Sequence, residues 1–479
     1  MVYYLAIDLG TTGCRSILFD EELNVIGQAY EEYGLITTKE NWVEQDAELW
    51  WELTLRTMEK AIGSVDIDAK QIMGISVSSQ GITLVPVDKD LKPLCNALSW
   101  LDARAEKEAE RMRRDYNADA FFALTGKEIK SVYTLPKLLW LKENRAEIFQ
   151  NAYKFLLPMD FLIARLTGEI LTDHSMACGT LLYDLKNACW SERICSRYGI
   201  SIEKLPKLAW SGEVAGTLKK DIAEKLGLSS HCIVAVGAQD QKCAAFGVGL
   251  AENNLSISLG TAAAVTNLWT NLESMKKQQA SWCAYVQPKS WVTEGVIETA
   301  GTCLRYVRDL FYKGESFQTI NAEVDKCLKN ETGVLFYPYL NKEIEGDNES
   351  AIGCFYGISL SAKREDYATA VMEGVAFQLR ALLEEMQAYD VQKDVILFGG
   401  GAKGPVWCQI IADVIGLKVL VPETEEAAGA GAARFAAMAC NQEIPPLKGK
   451  KCFYPSKELK EYYLNKYQRY RKIEAKMWG

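Results

Sequence analysis

One pattern, written twice, constrains this chain more than anything else in it. In the first copy the apolar run Tyr3-Tyr4-Leu5-Ala6-Ile7 leads into Asp8-Leu9-Gly10-Thr11-Thr12-Gly13-Cys14-Arg15, and Ser16-Ile17-Leu18-Phe19 follows. The second copy restarts near Leu255 and runs through Ser258-Leu259-Gly260-Thr261 into Ala262-Ala263-Ala264-Val265. Short apolar runs bounded by turn residues read as adjacent strands. Each half later repeats a strand, a small-residue turn and a helix: Val234-Ala235-Val236-Gly237-Ala238-Gln239-Asp240, then Ile396-Leu397-Phe398-Gly399-Gly400-Gly401-Ala402-Lys403. Strands mixed with helices in both halves predict an α/β class. A repeated unit predicts two similar domains packed face to face, with a cleft between them. At 479 residues the chain is too long for one core. The division is expected between Gly247 and Leu255, giving domains 1–248 and 249–479.

Further strands are expected at Ile72–Val77, Leu84–Val87, Ile233–Val236, Val334–Tyr339 and Val395–Phe398. Helices are expected at Asp46–Ile62, Ala103–Tyr116, Leu135–Asn144, Asp160–Leu166, Asp366–Gln387, Val406–Ile415 and Ala427–Ala439. The segment Lys457–Lys476 reads as a charged, tyrosine-rich helix serving as a surface strut.

A net charge of -9 argues against a nucleic-acid surface. No apolar run reaches the roughly 18 residues that span a bilayer, and no basic segment precedes an apolar one at the start. The expectation is a cytoplasmic protein with no membrane partner. The 14 cysteines form no Cys-x-x-Cys pair and read as free thiols of a reducing compartment. With only two histidines, His174 and His231, any general base is expected to be a carboxylate.

The first turn combines glycines, which let backbone N–H groups face an anion, with the hydroxyls of Thr11 and Thr12. Asp8 on its leading edge repels phosphate but can hold a divalent cation through water. The pairing suits a metal–nucleotide, although an ordinary hairpin turn looks the same. Asp240 follows a buried strand at the start of a small-residue helix. It reads either as a helix-start aspartate favoured by the dipole or as a base that takes a proton from a substrate hydroxyl. Gly260 and Thr261 would present N–H and hydroxyl donors from the second domain, or simply turn the chain. Three consecutive glycines at 399–401 imply close backbone approach by a nucleotide, against the alternative of a flexible connection.

These ordered motifs resemble the FGGY carbohydrate kinases of the actin–Hsp70–hexokinase ATPase superfamily over nearly the whole chain. The resemblance is carried by residues 8–13, Lys137-Leu138-Leu139-Trp140-Leu141-Lys142-Glu143-Asn144, residues 237–240, Gly357-Ile358 with Ala370-Val371-Met372-Glu373-Gly374, and 399–403 with Trp407, Gln409 and Asp413. It implies two ribonuclease-H-like (actin-like ATPase) domains closing on ATP, Mg²⁺ and a sugar or polyol. Asp240 then falls on the catalytic base and Asp8 on the metal–water position. Thr11, Thr12 and Arg15 fall on the first phosphate loop, Gly260 and Thr261 on the second, and Gly400, Gly401, Ala402 and Lys403 on the adenosine loop.

Acceptor contacts are implied at Gln80 and at Trp100-Leu101-Asp102-Ala103-Arg104, where Trp100, Asp102 and Arg104 suit several hydroxyls and an aromatic face. A buried tryptophan and an Asp helix cap are the alternative there. Glycerol kinases carry Gln-Arg-Glu after the preceding strand and xylulokinases Gln-Met-His-Gly, whereas this chain has Gln80-Gly81-Ile82. The Trp-x-Asp-x-Arg element looks closer to ketopentose and autoinducer-2 kinases. The expected reaction is γ-phosphoryl transfer from ATP to a hydroxyl of a ketose, a pentulose such as xylulose first, or a related polyol. A nucleotide-switched scaffold and a sugar sensor are the readings from other classes, and a homodimer is compatible with the sequence.

Overall fold

The computed structural model describes residues 1–273, 275, 280–327, 332–341, 351–390, 392–424, 426–447 and 449–478. Two large sheets organise it. The first holds β1 (Tyr3–Leu9), β2 (Gly13–Phe19), β3 (Val25–Glu32), β4 (Ile72–Ser79), β5 (Val214–Thr217) and β6 (Ile233–Gln239), in the order β5-β6-β4-β1-β2-β3. The second holds β7 (Asn254–Leu259), β8 (Ala263–Trp269), β9 (Ser281–Ala284), β10 (Trp291–Ile297), β11 (Asp394–Phe398), β12 (Val419–Pro422) and β13 (Lys450–Phe453). Its order is β9-β10-β8-β7-β11-β12-β13.

The two sheets share a connection scheme. In each, the opening strand pairs antiparallel with the next and parallel with a later strand, and that strand pairs parallel with another. An antiparallel strand then closes the edge. The repetition legible in the sequence is thus a repetition of topology, in a two-domain actin-like fold.

One face of the first sheet is covered by α1 (Ala47–Gly63), whose start is fixed by Asp46 accepting from the Glu48 and Leu49 backbone N–H groups. Other helices that bear on the site are α2 (Thr134–Asn144), α3 (His174–Cys178) and α4 (Asp240–Gly247), then α5 (Gly301–Phe311), α6 (Phe317–Cys327) and α7 (Arg364–Glu385). The last three helices are α8 (Pro405–Ile415), α9 (Ala427–Ala439) and α10 (Lys460–Trp478).

Two of these helices trade places. Helix α9 lies on the first sheet, its alanines and Phe435 clustered with Tyr4, Ala6, Ile17 and Phe19. Helix α4 sends Ala244 and Val248 against Ile396 and Phe398 of the second sheet. They cross where neither tolerates a side chain. A Cβ on Gly247 would lie 2.0 Å from the Ala427 carbonyl oxygen, and one on Gly431 1.9 Å from that of Cys243. Phe246 and Phe435 stack beside the crossing.

The expected helices and strands form, with shifted ends. The helix foreseen at Ala103–Tyr116 begins only at Glu106, because Asp102 and Arg104 are engaged with each other before it. The reading of Lys457–Lys476 as a surface strut is corrected. Helix α10 buries Tyr463, Lys466, Tyr467 and Tyr470, stacks Tyr470 on Tyr337, and pairs Lys466 Nζ with Glu373 at 2.6 Å. The tyrosines recur at helical spacing and form an apolar stripe that the surrounding charges obscure.

Candidate active site

Strand register assembles the site. Leu9 pairs with Ser79 and Ser79 with Gln239, so β1, β4 and β6 end level with one another. The Gly10–Gly13 turn, the Gln80 loop and Asp240 therefore leave the sheet at one edge, beyond the carboxyl ends of parallel strands where α/β sheets bind ligands. On the second sheet Ser258 pairs with Phe398, which places the Gly260–Thr261 turn beside Gly399–Gly401.

The first turn is closed by the Gly10 N–H donating to the Gly13 carbonyl, leaving Thr12 exposed and Thr11 half-buried. Trp100 Nε1 donates to Thr11 Oγ1 at 2.9 Å, and Gln45 Nε2 donates to the Thr11 carbonyl at 2.6 Å. Gln80 Nε2 in turn donates to Gln45 Oε1, so the Gly10–Gly13 turn and the Gln80 loop share one hydrogen-bonded network. Trp100 is 38% exposed, not the buried tryptophan of the alternative reading.

Asp240 is the first residue of α4 and accepts from the Gln241 N–H and from Gln239 Nε2. Burial, reinforced by Asp8 and Glu294, pushes its carboxyl up to about 7, against the pull of the Gln241 N–H and Lys242. Asp8 is raised too, chiefly by burial, while Ser78, which donates to it at 2.9 Å, and Arg15 oppose the shift. Two buried carboxyls, one of them raised in part by the other, are a donor set a divalent cation would relieve. Arg15 is ion-paired with Glu426 at the head of α9, a partner the sequence did not reveal.

Asp102 and Arg104 are bound to each other. Arg104, its side chain 2% exposed, hydrogen-bonds Asp102 and Glu44 and lies over the Trp42 and Trp140 rings. Asp102 is buried and also accepts from the Val43 N–H, so the pair holds the wall behind Trp100 together.

In the second domain a cavity of about 1130 Å³ is lined by Gly260, Thr261, Gly400, Gly401, Lys403 and Trp407, among others. Gly399 has φ +94, and a Cβ on Gly401 would lie 2.5 Å from Leu259 Cγ, so these two glycines are required by the packing, while Gly400 faces open space. Ala402 turns into the core instead. The Thr261 turn is pinned to α5: its carbonyl accepts from Ala300 N, and a Cβ on Gly301 would meet the Gly260 oxygen at 2.4 Å. Gly301, Gln45, Gln239 and Glu426 are the participants sequence reading missed. Only Gly301, a lone glycine after the strand run, left a visible trace.

Models of the FGGY family of carbohydrate kinases match the chain in two parts, the N-terminal domain at residues 3–247 and the C-terminal domain at 255–440. The chain belongs to this family. The FGGY chain is 31% identical to a xylulose kinase of Bacillus subtilis (strain 168), over 99% of its own length and 97% of the relative's. It is 27% identical to a gluconokinase of the same strain, over 90% and 86%. Among solved structures, a xyloylose kinase from Brucella ovis is 30% identical and superposes with a TM-score of 0.88 over 98% of each chain. The FGGY assignment makes the chain an ATP-dependent sugar phosphotransferase. Relatives that differ in acceptor leave the sugar to be read from the site. Among the described residues, no helix is long and apolar enough to cross a membrane.

Proposed function

We propose that this kinase transfers the γ-phosphoryl group of ATP to a terminal hydroxyl of a ketose, a pentulose such as xylulose being the best-supported acceptor. The observation that carries the reading is the meeting of Asp240, Asp8 and the Gln80 loop at one sheet edge, in a chain whose second domain holds a glycine-walled cavity. The division at 248/249 gives residues 1–248 the acceptor loop, first phosphate turn and base, and residues 249–479 the second phosphate turn and adenosine cavity.

The glycine loop at 399–401 fits the flat approach of a nucleoside, and the Asp8–Asp240 pair fits Mg²⁺. When bound, ATP–Mg²⁺ supplies the phosphoryl group and neutralises its developing charge. Asp240 accepts the acceptor's hydroxyl proton as attack begins, and a carboxyl near 7 is matched to that task at neutral pH. Gln239 orients the carboxylate by donating to it, and its own buried Oε1 has no partner among the described residues. Gln80 Oε1 is in the same state, so both offer acceptors for substrate hydroxyls. Thr11, Thr12 and Thr261 bind phosphate oxygens, and Trp100 offers its ring to the sugar.

The test is an ATP-consumption screen over ketopentoses, hexuloses, polyols, aldonates and autoinducer-2. Xylulose-dependent turnover at the highest kcat/KM is expected. Turnover selective for another acceptor replaces the sugar assignment, and ATP hydrolysis indifferent to every acceptor removes the kinase reading in favour of a nucleotide-switched scaffold.

A further inference from the structure

Behind the base, where the two domains touch, lie two thiols. Cys178 ends α3 in the first domain, and Cys283 sits in β9 of the second. Both are buried, at 0% and 1% exposure, and the backbone beside Cys283 reaches the Cys178 sulfur. The Ala284 N–H donates to Cys178 Sγ at 3.1 Å, and Cys283 Sγ donates to the Ser175 carbonyl at 3.5 Å. Ser175 Oγ accepts from the Gln239 N–H at 3.0 Å, so the thiols are two residues' reach from Asp240. The hairpin that carries Cys283 rests on the first domain through the Trp282 N–H, which donates to the Gly126 carbonyl, and through Trp291 Nε1, which donates to that of Leu185.

We propose that Cys178 and Cys283 are a peroxide-sensitive dithiol whose disulfide staples the second domain's hairpin to the first domain and stops the opening that substrate exchange requires. The Ala284 N–H on Cys178 Sγ and the Cys283 Sγ on the Ser175 carbonyl lay the two thiol-bearing segments against each other across the domain seam, the arrangement a disulfide would close. Burial would push the Cys283 thiol up, but the hydrogen bond from Cys178 and the ammonium groups of Lys242 and Lys127 outweigh it and hold it at about 7. Lys242 is fixed for this by its buried ion pair with Glu294 on β10. Cys178 is pushed the other way, chiefly by burial, which makes Cys283 the attacking thiolate.

The chemistry balances with one molecule of hydrogen peroxide. The Cys283 thiolate attacks a peroxide oxygen, the O–O bond breaks, and the departing hydroxide leaves as water with the Cys283 proton. The Cys178 sulfur then displaces hydroxide from the Cys283 sulfenic acid, and this leaves as water with the Cys178 proton. Two thiols lose two electrons and peroxide gains them. Because neither sulfur is exposed, the reagent enters when the hairpin lifts.

The loss of turnover rests on the kinase reading, whereas formation of the bond does not. The experiment uses the full chain with the exposed Cys189 and Cys452 replaced by serine, so that surface thiols do not cross-link molecules. After hydrogen peroxide, non-reduced peptides are mapped by mass spectrometry, and ATP consumption with acceptor is followed before oxidation, after it, and after dithiothreitol. A Cys178–Cys283 linked peptide is expected, with turnover down about tenfold or more and restored by dithiothreitol. A further Cys178→Ser substitution should keep its turnover under peroxide. Turnover lost without that peptide, or the peptide formed with turnover unchanged, overturns the proposal. If Cys178→Ser does not fold, the peptide map of the parent chain still decides. A parent with no kinase activity before oxidation would sink the functional reading while leaving the linked peptide to be scored by mass.

Discussion

Asp240 holds its proton more tightly than a carboxylate in water because burial, Asp8 and Glu294 all penalise its charge. The native chain thus keeps a proton that the unfolded chain releases near pH 4, so stability falls as pH rises from about 4 to about 7 and the full cost stands above that. Asp240→Asn removes the charge while keeping the shape. Its thermal midpoint should exceed the wild type's at pH 8 and not at pH 4. The same variant should lose about 10²–10⁴-fold in kcat with nucleotide affinity little changed, checked by coupled assay and calorimetry. In the wild type, kcat/KM for the acceptor should fall as pH drops below about 7. Gln45→Leu is a second test at this scale: it strips the Thr11 carbonyl and Gln80 of a partner, so KM should rise for both ATP and acceptor. The place of Asp240 at a strand-to-helix junction was legible because an apolar run precedes it. Gln45 and Glu426 were not, since each matters through a neighbour distant in sequence.

Helix α10 shows how an element is misread. Counting charges made it a strut, while the spacing of Tyr463, Tyr467 and Tyr470 already described a buried stripe. Its Lys466 is committed to Glu373, whose carboxyl burial pushes up even against that ammonium. Lys466→Met should cost about 3–5 kcal/mol in urea unfolding, since it strands a buried charge. Adding Glu373→Leu should recover much of the loss. The crossing of α4 and α9 is the other element whose meaning needed three dimensions. Gly247 and Gly431 look like weak points in their helices, yet each is where a neighbouring backbone passes. Gly431→Ala should destabilise the fold by about 1–3 kcal/mol and lower kcat, measured together on one preparation.

At the scale of the whole molecule, the two domains meet through the crossing of α4 and α9 and through the hairpin that rests on Gly126 and Leu185. Phosphoryl transfer has to exclude water, so ATP and acceptor together should shrink the radius of gyration in small-angle scattering, and an unchanged profile would count against closure. The repeated strand–turn–strand unit made this architecture legible, because topology follows the order of strands and turns. The traded helices were hidden, since nothing in Ala427–Ala439 says which sheet it covers. That trade also bears on how the chain is made. The face of the first sheet bearing Tyr4, Ala6, Ile17 and Phe19 has no cover until α9 leaves the ribosome, almost the last element to do so. The N-terminal half must wait, that apolar face open, while most of the C-terminal half is made. A fragment ending at residue 248 should therefore be recovered as aggregate or bound to chaperones, and adding the C-terminal half in trans should rescue it.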